Sequence, residues 1–482
     1  MAKTKYSDFT LTNAQTNALK AFRQFMHDKE NRIFVLRGYA GTGKTTLMRF
    51  FIDELKKAEK NFQLLASTGR AAKILRDVTG NDASTVHSLI YQFKDFNQNL
   101  EASLGKEYDQ KKVDKTGQLL LQFECSPVVH ETDETFFYII DESSMLSDVA
   151  DADPNQAMFG SGRLIRDLLD YDSLGKFVFV GDNCQLPPVN SAVSPALSIS
   201  YLSENYDVGC VESELTEITR QSGSNDIITV ATKLRRLAAS PPVVTWAKFP
   251  MLGHQNVKVC SDQTQLLDLY IKDVKKNGYN SATMICGTNK QCDLRSRLIR
   301  PALGFAQPTL QVGDLLLVTQ NNALTQLLNG DLVKVVSIGD RNEKAGLTFL
   351  MVEVEELATK RRCGQFLIED VLYGGWTNLS QAQQKALFVD FYYRMRSQGI
   401  RQKDQRFRMC MINDPYLNAL RAVFGYALTC HKCQGGEWKR VYIDIPRYLS
   451  HNASAAEYRW LYTALTRAQE VVYVANDFYL SH

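Results

Sequence analysis

At 482 residues, 44% hydrophobic and 23% charged with 12 prolines, the chain has the composition of an ordered protein of about two to four domains, which excludes a disordered or fibrous reading. A formal net charge of +3 excludes wholesale attraction to nucleic acid, so any phosphate binding must come from a locally basic groove. Ten scattered cysteines fit a reducing cytoplasm better than a disulfide framework, and no run approaches the roughly 18 apolar residues of a membrane helix.

From Thr12 onward, Leu19, Phe22, Phe25 and Met26 share one face of a predicted helix, and "RIFVLRG" (Arg32 to Gly38) predicts a short buried strand. It runs into "GYAGTGKT", Gly38 to Thr45, which satisfies G-x-x-x-x-G-K-[ST] between a strand and the helix-like "KTTLMRFFIDELKKA". Glycines at Gly38, Gly41 and Gly43 let backbone N–H groups, with those of Thr42 and Thr46, curl around phosphate oxygens. Lys44 reaches the β and γ phosphates, and the Thr45 hydroxyl ligates magnesium. ATP and Mg2+ are the cofactors this chemistry calls for.

"FQLLAS" leading into "TGRAAKILRDV" predicts a second strand and helix. Residues 91–135 are polar with a turn signal "DKTG", predicting a small hairpin insertion. "FFYIIDESS" then places Asp141 and Glu142 at a strand tip, where one holds magnesium and the other activates water. "KFVFVGD" closes a first α/β core. The pattern restarts at "NVKVC" and "SATMICG", breaks, and resumes at "RVYIDIP" and "EVVYVAN". Residues 301–414 in the break hold β-like runs, which predict a small β-barrel-like insertion, followed by a segment with Arg394, Arg396, Arg401, Lys403, Arg406 and Arg408. That segment reads as a strand-binding groove or, by preference, as a solvated helix face.

"TCHKCQGG" sets Cys430, His431 and Cys433 together and invites a zinc or thiol reading. Zinc needs about four ligands, and the nearest other cysteine, Cys410, has no second pair beside it, so the expectation is neither.

The ordered set "LTNAQ", "GYAGTGKT", "STGRAAKIL", "STVHSL", "IIDESSM", "VGDNCQLPPV", "ELTEITRQ", "TCHKCQG" and "LYTALTRA", from Leu11 to Ala468, resembles a superfamily 1 DNA helicase of the RecD/Dda group. The resemblance implies two RecA-like P-loop cores: residues 1–90 with 136–220, and 221–300 with 415–482, bearing the insertions 91–135 and 301–414. It implies a monomeric motor moving 5′ to 3′ on single-stranded DNA and unwinding duplexes at single/double-strand junctions. A translocase that unwinds poorly and an RNA helicase of the same superfamily are the alternatives.

Carried onto this sequence, the family pattern makes Gln15 the adenine reader, although Thr12-x-x-Gln15 is equally a capping box. Lys44, Thr45, Asp141 and Glu142 become the hydrolytic site, with Gln185 sensing the γ-phosphate. Arg220 and Arg467 are the arginines that reach the transferred phosphoryl group, and Gly435 belongs to the nucleotide-coupling motif. Strand contacts fall to Ser67, Thr68, Gly69, Thr85 and His87 on the first core and to Thr429, His431 and Lys432 on the second. His87 reads as well as a satisfied, half-buried histidine. Phe93, Phe96 and Phe123 in the hairpin insertion are candidates for the aromatic that splits the duplex, or for core packing there.

Overall fold

The computed structural model describes residues 10–96, 121–130, 134–149, 158–189, 191–218 and 225–482. They divide into two units, one drawn from residues 1–92, 124–151 and 159–224, the other from 93–123, 152–158 and 225–482.

In chain order, β1 (Asn31–Gly38), β2 (Phe62–Ala66) and β3 (Ala83–Thr85) of the first unit are followed, after β4 (Tyr91–Phe96) and β5 (Leu121–Cys125), which straddle the two units, by β6 (Phe137–Asp141). After β7 (Met158–Phe159) come β8 (Lys176–Gly181) and β9 (Gly209–Leu215). Six of these form a parallel sheet in the order β3-β2-β6-β8-β1-β9. Ile33 to Leu36 are wholly buried, as expected where helices cover both faces of a parallel sheet. The helix Asn13–His27 lays Phe22 flat on Phe51 of the helix Lys44–Lys57, ring centroids 4.0 Å apart, which seats the P-loop helix against the sheet.

Register sets what the sheet presents at its C-terminal edge. Arg37 pairs with Gly181, Ala66 with Asp141, and Ala66 with Thr85, so the P-loop, the Asp182–Gln185 turn, the Asp141–Glu142 pair and the Ser67–Gly69 turn emerge side by side. Ligands of open α/β sheets bind at this edge. β4, β5 and β7 form a separate three-stranded sheet, while the "DKTG" turn expected there lies outside the described residues. The expected insertion end at 135 is too late: Val128 N donates to Tyr171 O at 2.7 Å, and His130 Nε2 lies 2.7 Å from buried Asp172, both within the first unit.

The second unit opens with β10 (Phe249–Pro250), β11 (Val257–Cys260) and β12 (Ala282–Cys286). A β-rich stretch follows: β13 (Leu315–Val318), β14 (Leu332–Lys344), β15 (Leu347–Glu356), β16 (Arg362–Ile368) and β17 (Ala422–Phe424). β18 (Ala427–Thr429), β19 (Trp438–Ile443), β20 (Ala468–Ala475) and β21 (Leu480–Ser481) complete the unit. A parallel sheet runs β11-β20-β19-β12-β18, and an antiparallel one β16-β15-β14-β13-β17. Leu420 bridges to Leu367 of β16 while Ala422 pairs with Val318 of β13, so one short segment ties the last strand to the first. The expected boundary at 414/415 therefore falls too early, because residues 420–424 still belong to this small barrel.

The helices Gln381–Ser397 and Gln405–Asn413 share a small core of Phe391, Tyr392, Met395, Ile400 and Phe407. The six-cation reading needs one correction here. Arg394 bonds Asp390 at 2.7 Å and the buried Asp414, so it is a structural ion pair, whereas Arg396, Arg401, Lys403, Arg406 and Arg408 are exposed. Among the described residues no helix is long and apolar enough to cross a membrane.

Barrel and parallel sheet are joined by one buried acid. Asp314 receives Arg300 Nε at 2.8 Å and Nη2 at 2.7 Å, and the Tyr426 hydroxyl at 2.6 Å. Arg300→Ala leaves that carboxylate buried without its counter-ion, a change worth ~3–5 kcal/mol. The expected outcome is a lower melting temperature, with Asp314→Asn milder; calorimetry checks it.

Candidate functional site

The P-loop is built from backbone geometry first. Gly41 and Gly43 both sit at φ +80°, the left-handed region where side chains are strained. A Cβ on Gly38 would come within 2.7 Å of Thr42 Oγ1 and 3.0 Å of Lys44 Cγ. Gly43 is the N-cap of the helix Lys44–Lys57 and no side chain caps it, leaving the first-turn N–H groups of Lys44, Thr45 and Thr46 to face the loop's mouth. Lys44 Nζ donates to Gly38 O at 2.7 Å and Tyr39 O at 3.2 Å, which folds the ammonium across the cradle.

Gln15 forms the expected capping box and also touches the P-loop. Its Oε1 accepts from Thr12 N at 3.0 Å and its backbone N–H bonds Thr12 Oγ1 at 3.2 Å, completing the capping box. Its Nε2 donates to Thr42 O at 3.0 Å, so the buried amide braces the P-loop.

Across β8 from the P-loop stand the two acids. Asp141 Oδ1 accepts Glu142 N at 2.9 Å, and Glu142 holds φ +50°, a left-handed backbone that a non-glycine residue rarely adopts outside functional turns. Burial, reinforced by the Glu142 carboxylate, pushes the Asp141 carboxyl up to about 7, while the Lys44 ammonium pulls it down. A divalent cation offsets such a carboxylate. One acid, the half-buried Thr45 hydroxyl and phosphate oxygens make an oxygen donor set that fits magnesium.

Gln185, 3% exposed, holds Oε1 buried with no hydrogen-bond partner among the described residues, and so does Ser144 with its Oγ. Buried polar atoms in folded proteins mostly have partners, so each exception is open to a water or a ligand. Sequence reading passed over Ser144, although "DESS" carried it. Gly181 shows how tightly this turn is packed, since a Cβ there would sit 3.1 Å from Ser144 N.

The expected strand contacts line the β2–β3 end of the same edge. Thr68 caps the helix Gly69–Thr79 through Ala71 N at 3.2 Å, and Thr85 caps the short turn Val86–Ile90 through Ser88 N at 3.2 Å. Ser67 Oγ is buried without a partner. His87 lies at the surface with its ring beside Tyr91 at 5.7 Å and edge-on to Phe159 at 5.5 Å, and burial of the ring lowers its pKa. Phe123 is partly buried, the side chains of Phe93 and Phe96 fall outside those described, and so does Arg220.

In the second unit, Thr429 ends β18 and the chain turns through His431 and Lys432 to Gly435, at φ +73°. Lys432 N donates to Thr429 Oγ1 at 3.4 Å, and burial lowers the pKa of both the His431 ring and the Lys432 ammonium. Arg467 is buried beside this turn. Its Nε bonds Thr463 O at 3.1 Å, Nη2 bonds Thr466 Oγ1 at 3.2 Å, and Nη1 points to Gly436 O at 3.5 Å.

The cysteines of the turn are fully buried, with Cys430 Sγ donating to Trp460 O at 3.3 Å and Cys433 Sγ to Cys430 O at 2.9 Å. Among the described residues no group of three or more His, Cys, Asp or Glu side chains is disposed to hold a metal. Cys430→Ser with Cys433→Ser keeps both donors, so ATP turnover is expected to match the parent, as a phosphate-release assay would record.

Two family models match in succession, an AAA domain over residues 10–246 and a UvrD-like helicase C-terminal domain over residues 424–475. ATP-dependent DNA helicase dda of Enterobacteria phage T4 is 24% identical over 329 residues, covering 66% of this chain and 63% of dda. ATP-dependent RecD2 DNA helicase of Deinococcus radiodurans is 29% identical over 203 residues, covering 42% of this chain and 21% of RecD2. The chain is thus similar to RecD/Dda-like superfamily 1 helicases. A structure of Pif1 helicase from Bacteroides in complex with ADP-AlF3 and ssDNA aligns with this chain over 98% of its length and 93% of the Pif1 chain, at 18% identity and TM-score 0.48. The AAA match covers the P-loop, Asp141, Glu142 and Gln185, and the UvrD-like match covers Thr429 to Arg467.

Proposed function

We propose that the chain is an ATP-dependent DNA helicase that moves 5′ to 3′ on single-stranded DNA and opens duplexes from single/double-strand junctions. The observation that carries this reading is the single edge of the first sheet, which sets a phosphate cradle, a carboxylate pair and an orphaned glutamine beside hydroxyl-bearing turns.

The P-loop amides and Lys44 bind the ATP phosphates, and Thr45 and Asp141 would hold magnesium, which would supply positive charge to the phosphates. Glu142 takes the proton of the attacking water, Gln185 Oε1 orients that water, and Gln15 braces the loop against the adenine side. Arg220 and Arg467 stabilise charge on the transferred phosphoryl group. Ser67 to Gly69, Thr85, His87, Thr429, His431 and Lys432 hold the strand through phosphate and sugar, contacts without sequence information that can be released at each step. Residues 91–123 act as the wedge.

Duplexes bearing only a 5′ or only a 3′ single-stranded tail test the whole proposal. Opening of the 5′-tailed substrate alone is expected. Opening from the 3′ tail reverses the polarity, and ATP turnover stimulated by RNA but not DNA replaces the substrate.

A further inference from the structure

Within the second unit, the turn at Gly374–Asn378 presents an indole to solvent. Trp376 is 75% exposed, more than any other large aromatic side chain among the described residues, although tryptophan is on average a well-buried type. The turn that carries it is pinned at both ends. Asn378 Oδ1 accepts from Arg421 Nη1 at 2.5 Å and from Leu379 N at 2.8 Å, and the Tyr373 hydroxyl accepts from Leu310 N at 2.7 Å. Between them Gly375 takes φ +73° with open space around it. The ring is held out by its anchors.

Trp376 shares one shallow concavity with Phe424, Asn289, Thr429 and Lys432. Its lining includes two aromatic rings, the Thr429 hydroxyl and the Lys432 ammonium. Asp293 also borders it, and that carboxylate is paired with Arg297 Nε at 2.9 Å. Lys432, by contrast, has no carboxylate partner among the described residues. A rigid aromatic face beside an uncompensated cation has the chemistry of a nucleotide subsite, with a base on the ring and a phosphate at the ammonium.

We propose that Trp376 is a base-stacking platform for single-stranded DNA, holding one nucleotide whose phosphate meets Lys432. The proposal rests on the DNA-motor reading and adds to it a contact from the barrel segment, outside every motif that carried the family resemblance. Stacking is indifferent to base identity, as a translocase requires.

The test compares wild type, Trp376→Ala and Trp376→Phe for binding a labelled oligothymidine by fluorescence anisotropy. Trp376→Ala is expected to bind about tenfold more weakly, and Trp376→Phe to keep most of the affinity. A second arm walks a single abasic nucleotide along the oligonucleotide. One register should weaken wild type and leave Trp376→Ala unaffected. Turnover without DNA should be equal in all three proteins. Equal affinities, or the same abasic profile for wild type and Trp376→Ala, overturn the stacking role while the motor reading stands. A wild type that fails to bind single-stranded DNA overturns both.

Discussion

Lys44→Ala is expected to remove ATP hydrolysis, with or without DNA, by on the order of 10³-fold or more, and duplex opening with it. The Nζ that bonds Gly38 O and Tyr39 O places a positive charge inside the phosphate cradle, and alanine leaves the peptide dipoles alone to offset the phosphates. The protein should stay folded. Lys44 is the first residue of its helix and outside the core formed by Leu47, Met48 and Phe51, and alanine suits that position. An unchanged melting temperature with no phosphate release at saturating oligonucleotide is the expected pair of readings. DNA-dependent turnover near that of the parent would refute the site.

Arg467→Ala carries the second large effect, a fall in DNA-stimulated turnover of ~10³–10⁵ with nucleotide binding retained. Its guanidinium is oriented by Thr463 O, Thr466 Oγ1 and Gly436 O, and Gly436 closes the turn that bears Thr429, His431 and Lys432. A planar fork held this way cannot be copied by an ammonium, so Arg467→Lys is expected to recover little. Fluorescent-nucleotide titration and steady-state turnover together check this. Near-normal turnover in Arg467→Ala would remove the residue from the mechanism.

Much of the first sheet was legible because its strands are apolar runs that end on chemistry-bearing residues: Arg32–Gly38 into the P-loop, Phe137–Ile140 into Asp141 and Glu142. Periodicity and motif spacing report on such segments directly. They do not report where a strand pairs. The expected boundary at 414/415 put β17 with the core, yet β17 pairs with β13, and only β18, the next strand, pairs with β12. Charge counting likewise could not separate Arg394, neutralised by Asp390 and Asp414, from its exposed neighbours, since Asp414 lies twenty residues away. Gln15 shows the reverse case. The sequence showed its capping box but not its bond to the P-loop, and one amide makes both because its two ends bond in different directions. Trp376 had no motif around it, so only its exposure and its anchored turn identify it.

The pairing of Ala66 with Asp141 has a mechanical consequence. Adjacent strands sit about 4.8 Å apart and are laced by backbone hydrogen bonds, with no joint between them. The turn after β2 and the acids after β6 are therefore two teeth of one rigid comb. A strain applied at either reaches the other across a single ladder, before any larger part of the protein has to bend.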